Sequence, residues 1–281
     1  MKRFHYCVGL TVAASLLAVA QEAKAVLLSY DGFAAGDYTA GNLDGQAYAG
    51  TGYAAGGAWN TTSQFVVGGL SYPNLMTTEG FHVLRNNGDA TGNLDLSAGG
   101  PFDSAGLVTN GAVGGTGNTG TIYYSFLARQ ETSGSFAGFN IYNGGTENLG
   151  IGKESSRTTF SHFQPNGDIG SPATPLDNET HLFVVRIDYG MAGSDDVATI
   201  WLDPDTTLSE AMQDPTISST TGTDDQAFNQ FRLRGNHNWS FDEVRFGTTF
   251  DSVTPIPEPS SAVLGLLATV AFGACMRRRR I

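Results

Sequence analysis

Cysteine is almost missing from this 281-residue chain. The two present, Cys7 and Cys275, sit in apolar stretches near the ends, so everything between them is free of thiols. That excludes disulfides as a stabiliser of the body and excludes a cysteine nucleophile in it. Basic side chains are scarce too. From Val26 to Ile256 eight Lys and Arg stand against 25 Asp and Glu, a formal charge of −17. Such a field repels nucleic acid and anionic lipid. The same stretch lacks any long run of helical apolar period, and it lacks a Gly-x-Ser-x-Gly nucleophile elbow. Its four histidines, His82, His162, His181 and His237, never recur at the i, i+2 or i+4 spacing of a zinc site.

The two ends carry the long apolar runs. Lys2 and Arg3 precede a run from Tyr6 to Ala20, and Ala23 and Ala25 then occupy the −3 and −1 positions of a cut after Ala25. This order predicts a signal peptide over residues 1–25, handled by Sec-type export machinery and signal peptidase. The alternative is a retained N-terminal anchor. At the other end, Pro257, Glu258 and Pro259 precede seventeen uncharged residues, Ser260 to Met276. Arg277, Arg278, Arg279 and Arg280 follow. Seventeen helical residues reach roughly 25 Å, the short end of what crosses a bilayer. The arginines belong on the cytoplasmic side, which leaves the body outside, held by a transmembrane helix at the inner membrane. The prolines stop regular structure short of the span and leave the triplet extended.

Residues 256–281 resemble the PEP-CTERM sorting signal in all three parts: triplet, short apolar helix and terminal arginines. The resemblance implies transient anchoring, recognition by an exosortase, and removal of the tail near Pro257–Pro259. An anchor that stays uncut is the alternative.

The body, residues 26–255, is rich in Gly, Thr, Ser and Asn, with short β-rich runs between turn clusters, which predicts an all-β domain. Ten strands are expected, at 64–67, 80–84, 121–128, 136–142, 148–151, 158–164, 181–189, 198–202, 228–233 and 241–246. In 181–189 the alternation puts Phe183, Val185, Ile187 and Tyr189 on a core face, and the next run returns as a hairpin. Residues 209–213 read as a helical turn. So many short strands predict a two-sheet antiparallel β-sandwich. The segments Tyr30-Asp31-Gly32-Phe33, Gly50-Thr51-Gly52-Tyr53 running to Trp59, 70–75, 122–127 and Asp242-Glu243-Val244-Arg245 are similar to concanavalin A-like, laminin-G-like jelly-roll proteins. That likeness implies a jelly-roll body.

Laminarinase-type hydrolases of such folds carry alternating carboxylates on one strand, and no such strand occurs. Asp242 and Glu243 are adjacent and are expected on opposite faces. Asp203 and Asp205 read as turn residues. The chain is therefore read as a non-catalytic surface or exopolysaccharide-matrix protein. A carbohydrate-binding module and a divergent glycosidase are the rival readings. For sugar binding the candidates are Trp59, Asn236, Asn238 and Trp239, an indole to stack on and amides to bond hydroxyls. Structural Ca2+ is the one cofactor considered, with Asp31 and Asp242 as ligands and Asp195 and Asp196 as further candidates.

Overall fold

A computed structural model describes residues 25–85, 89–115, 117–132, 136–155, 157–164, 167–170, 176–190, 196–220, 226–235 and 239–257. The helices expected within 1–25 and 260–276 lie outside them. Among the described residues no helix is long and apolar enough to cross a membrane.

The strands in chain order are β1 (Leu27–Asp31), β2 (Gly41–Asn42), β3 (Gln64–Val67), β4 (Phe81–Arg85), β5 (Asp89–Asn93), β6 (Val108–Thr109), β7 (Ala112–Val113), β8 (Thr121–Gln130) and β9 (Ala137–Asn143). They continue with β10 (Thr146–Lys153), β11 (Ser161–Gln164), β12 (Gly167–Gly170), β13 (Thr180–Asp188), β14 (Val197–Leu202), β15 (Ile217–Thr220), β16 (Gln230–Gly235) and β17 (Trp239–Gly247). Two short helices, α1 (Pro101–Ser104) and α2 (Phe250–Val253), and a 3-10 turn at Glu210–Met212 complete the described elements.

The strands form two antiparallel sheets. One has nine strands, ordered β15-β14-β13-β8-β17-β4-β3-β2, with β1 alongside β17. The other has six, ordered β12-β11-β10-β9-β16-β5. β6 and β7 pair separately. A row of phenylalanines bridges the two sheets. Phe183 stacks on Phe126 at 4.9 Å, Phe126 on Phe139 at 4.6 Å, and Phe139 on Phe231 at 5.0 Å. Each such pair adds about 0.5–1.5 kcal/mol beyond the area it buries. The ten expected strands all form, and 209–213 contains the helical turn. The hairpin β13–β14 has the expected faces: Phe183, Val185, Ile187 and Tyr189 join the core between the sheets.

A second apolar cluster lies on the outer face of the nine-stranded sheet. Leu127, Leu182, Val184 and Trp201 project there and are covered by Leu70, Leu75, Phe250 and Val253. Gly50 and Gly52 let their loop lie against β1. A Cβ at Gly50 would stand 2.4 Å from the Tyr30 carbonyl oxygen, and Gly52, at φ +76°, would meet that of Leu28 at 2.2 Å.

Adjacent carboxylates on β17 do not part to opposite faces as strand alternation predicts. β17 bulges against β8 between Asp242 and Arg245, with Glu243 at φ +54°. The extra residue breaks the two-residue period. Both carboxylates then serve one loop: Asp242 accepts the Leu70 N–H at 2.7 Å, and Glu243 accepts the Thr78 N–H. Arg245 pairs with Glu243, donates to the Met76 carbonyl at 2.6 Å, and lies 4.7 Å over the Tyr30 ring. Asp242, Glu243 and Arg245 are all buried. Burial lifts both carboxyls above the usual range, opposed at Glu243 chiefly by Arg245.

Candidate functional site

Strand alternation sorts the six-stranded sheet into two populations. Phe231, Leu233, Phe139, Ile141, Leu149 and Ile151 face the core. The residues between them face outward, and the register lines them into rows. Arg234 stands opposite Asp89, Arg232 opposite Thr91 and Asn140, and Gln230 opposite Asn93 and Tyr142, with Glu147 next to Tyr142 on β10.

These side chains bind one another. Glu147 accepts from Asn140 Nδ2 at 2.7 Å, from the Tyr142 hydroxyl at 2.8 Å and from Arg234 Nη1 at 2.5 Å. Arg234 Nε also donates to Asp89 at 3.1 Å, and Arg232 Nη1 donates to Asp89 at 3.4 Å. The Arg232 guanidinium carbon lies over the Tyr142 ring, 3.9 Å from its centroid. Burial, then Glu147, raises the Tyr142 hydroxyl well above its ordinary pKa, so it stays a neutral donor. Two carboxylates against two guanidinium groups leave the array without net charge. The four charged side chains remain partly open to solvent, at 18–31% exposure.

Two polar atoms in the middle row have no partner. Arg232 Nε and Asn140 Oδ1, a donor and an acceptor on facing residues, are both buried and unbonded. Each such atom costs about 1–3 kcal/mol unless something satisfies it.

The residues expected to bind sugar lie elsewhere. Trp59 is buried among Phe33, Tyr48, Tyr53 and Phe231, with its Nε1 reaching the Tyr38 hydroxyl at 3.5 Å. Trp239 is buried against Phe160 and Phe241. Neither indole is a surface platform. Both face the core because the hydrophobic gain from a ring of that size outweighs the polar neighbours in sequence. Asn236 and Asn238 lie outside the described residues. Period-two alternation in Phe231-Arg232-Leu233-Arg234 and Asn140-Ile141-Tyr142 was the signal for the observed array.

Asp31 and Asp242, the expected calcium ligands, are each closed off by protein donors. Asp31 accepts the Phe33 N–H at 2.9 Å and the Tyr38 hydroxyl. Asp242 accepts Leu70 N–H and its neighbour's N–H at 2.8 Å. Burial lifts the Asp31 pKa to about 7 against those bonds. Among the described residues no cluster of three or more metal-binding side chains occurs. Asp196 caps loop N–H groups of Gly190 and Gln226, and Asp195 lies outside the described residues. Asp205 serves its turn by accepting the Thr207 N–H at 2.9 Å, whereas the Asp203 carboxylate reaches across to β13, accepting the Leu182 N–H at 3.0 Å and meeting His181 at 2.6 Å.

A second candidate region is the end of the fold. Thr249 caps α2 in a capping box with Ser252. Phe250 packs on Trp201 at 5.5 Å, Ser125 donates to the Val253 carbonyl at 2.6 Å, and Met76 N–H donates to the Pro255 carbonyl at 2.7 Å. The next residues, Ile256 and Pro257, are exposed, as is Ala25 at the opposite terminus. Ala23, Glu258, Pro259 and Arg277 to Arg280 lie outside the described residues.

The profile of the PEP-CTERM protein-sorting motif matches residues 255–280. A motif of this kind implies exosortase processing, export and sorting to the cell surface. No curated protein matches the chain in sequence. Among solved structures the chain is similar to domain 4 of a GH43 extracellular arabinanase from Geobacillus stearothermophilus, at 15% identity and TM-score 0.40, over 82% of this chain and 97% of that one. It is also similar to a Trypanosoma rangeli sialidase, at 9% identity and TM-score 0.36, over 78% of this chain and 35% of the sialidase. An endo-1,3-beta-glucanase from Streptomyces sioyaensis shares 14% identity at TM-score 0.32, over 78% of this chain and 94% of that one.

Proposed function

We propose that this is a non-catalytic protein of the cell surface or exopolysaccharide matrix, exported, held briefly at the inner membrane by residues 260–276, and passed to an exosortase-type enzyme. The observation that carries the reading is the junction at Pro255. The sorting motif begins at the residue whose carbonyl is the last one held by the body. Folded domain and processing signal therefore meet without a spacer. Export through a signal peptide cut after Ala25 fits the same picture, because β1 starts at Leu27 and Val26 already bonds Thr248. A cut there leaves β1 and the Val26–Thr248 bonds in place.

The non-catalytic part of the proposal rests on the adjacent carboxylates Asp242 and Glu243. Both are sealed from solvent and committed to loop N–H groups. Deleting Pro257 to Ile281 and fractionating the cells tests the sorting role: the body is expected to lose its surface placement. Unchanged placement of the truncated chain would sink it.

A second reading, a saccharide-binding module, is favoured by the partly exposed, mutually bonded array of Asp89, Asn140, Tyr142, Glu147, Arg232 and Arg234 on the outer face of the six-stranded sheet. A glycan array with the purified body is expected to find a neutral glycan whose binding disappears in Asn140→Ala. Silence at millimolar sugar would remove this reading while leaving the sorting role standing.

A further inference from the structure

Among the described residues two arginines are fully buried, Arg85 and Arg245. Arg245 pairs with Glu243 and donates to the Met76 carbonyl. Arg85, the last residue of β4, has a single bond: its Nη1 donates to Thr61 Oγ1 at 2.8 Å. Its Nε and Nη2 are buried and unbonded. The partly exposed Arg129, Arg186, Arg232 and Arg234 each meet a carboxylate. Among the described residues no carboxylate meets Arg85.

Strand alternation puts it there. Phe81, Val83 and Arg85 share the core face of β4, and a Cβ added at Gly235 of the opposite sheet would stand 3.6 Å from that of Arg85. Asp89, the acid closest to it in sequence, is held by Arg232 and Arg234 on the outer face of the six-stranded sheet. Asn86-Asn87-Gly88 and Asn236-His237-Asn238, next in sequence to Arg85 and Trp239, contain no acid. Trp239 stands directly across from Arg85 on β17, and its Nε1 is also buried and unbonded. All three spare atoms on this cross-strand pair are donors.

Charge decides what such donors fit. Burial lowers the Arg85 pKa only to about 10, so the guanidinium stays charged at neutral pH. A buried charge calls for an opposite one, and water accepts a bond but brings no charge. The two free atoms are also a specific pair. Nε and Nη2 carry parallel N–H bonds along one edge of the guanidinium plane, the edge that grips two oxygens of an acid group at once. We propose that Arg85 binds a small oxyanion of the sulfate or phosphate class side-on, between the two sheets. Complete burial favours a free ion over an acid group carried on a glycan chain. The ion would lock the end of β4, where Arg85 already holds Thr61 and Thr61 in turn bonds Ser63 Oγ at 2.9 Å. This site is separate from the sorting tail and from the polar array, and it stands whichever reading of them holds.

Thermal unfolding of the full-length chain in detergent, over a sulfate series at ionic strength held constant with sodium chloride, reads the site. The wild-type melting temperature is expected to climb with the logarithm of sulfate once the ion exceeds its dissociation constant. Arg85→Met is expected to show only the shallow rise that sulfate gives any protein by exclusion from its surface. Equilibrium dialysis against labelled sulfate should find about one ion per wild-type chain. Arg85→Lys keeps the charge but loses the two-pronged edge, so its affinity should fall at least about tenfold. If Arg85→Met does not fold, dialysis of wild type and Arg85→Lys still decides. Absence of bound sulfate in the wild type overturns the proposal. Equal binding by wild type and Arg85→Lys, or by wild type and a folded Arg85→Met, also overturns it, because the ion would then sit elsewhere. Displacement of the labelled ion by an oligouronate would overturn the free ion and make an acidic glycan the source.

Discussion

The nine-stranded sheet hides its outer face under Leu70, Leu75, Phe250 and Val253, whereas the six-stranded sheet carries Arg232, Arg234, Tyr142, Asn140 and Glu147 on its own. Both faces follow the same two-residue alternation, so the backbone does not distinguish them. Outward-facing side chains do. Leu182, Val184 and Trp201 demand a cover, and the chain's own end supplies it, fixing where the sorting motif emerges. The six-stranded face instead satisfies its polar groups among themselves, apart from two orphan atoms. One face is covered by the chain's own end and the other presents an ordered polar array.

The contrast is sharpest between two ion pairs of the same chemistry. Arg245–Glu243, beneath the covering loop, is sealed, while Arg234–Glu147 is partly solvated. Arg245→Met should cost roughly 3–5 kcal/mol by leaving the buried Glu243 carboxyl without its ion-pair partner. It also frees the Met76 carbonyl. Adding Glu243→Gln should recover part of the loss. Denaturant unfolding of the single and double variants measures both. A cost below 1 kcal/mol for Arg245→Met would mean that the covering loop is not held by the bulge.

Trp59→Ala tests the same division from the core side. Removing a fully buried indole should cost about 3–5 kcal/mol. Were Trp59 a sugar platform, the substitution would leave stability unchanged and abolish binding instead. Equilibrium unfolding separates the two outcomes.

The sheet strands with β-branched and aromatic alternation were legible in the sequence, since 121–128, 181–189 and 198–202 advertise a pleated, half-buried surface. β5 was not. Asp89-Ala90-Thr91-Gly92-Asn93 reads as a turn, and only pairing with β16 makes it a strand. Its Asp89 is half of the array's charge balance, so the site was hidden along with it. The bulge at Glu243 was equally invisible, because a left-handed φ at a glutamate is imposed by tertiary bonds to Thr78, Tyr30 and Arg245. Tryptophans drew attention as ligand contacts, but their size made them core residues. The sorting tail was legible in full, because its recognition depends on linear order and not on a fold.

Stability should also respond to pH in a direction unusual for an acidic protein. In the folded body Asp31 has a pKa of about 7, against an ordinary 3.8, chiefly through burial. A raised carboxyl pKa means that the folded state binds the proton more tightly. Its contribution is therefore complete below about pH 4 and is lost as pH rises toward 7, by up to about 4 kcal/mol at roughly 1.4 kcal/mol per unit. His181 acts in the same direction. Burial disfavours its charge, but Asp203 and Asp177 outweigh it and raise its pKa, so its stabilisation fades as pH rises through the folded value. Melting temperatures should fall from pH 5 to pH 8, and Asp31→Asn should flatten that slope. A profile with its maximum at pH 8 in both proteins would contradict the assignment.

The smallest effect is expected on the open sheet, where it is also the most diagnostic. Arg234→Met removes contacts to Asp89 and Glu147 that water can replace, so the loss should stay near 1 kcal/mol or below. The array would nevertheless lose its order, since Glu147 takes its position from Arg234, Tyr142 and Asn140 together. If this face recognises a glycan, binding should weaken well beyond what the stability change accounts for, because a saccharide reads the fixed directions of donors and acceptors and not their number. If the array only holds β9, β10 and β16 in register, binding elsewhere on the body would survive Arg234→Met unaltered. Calorimetric titration of wild type and variant with one array-positive glycan decides between a recognition surface and a structural one.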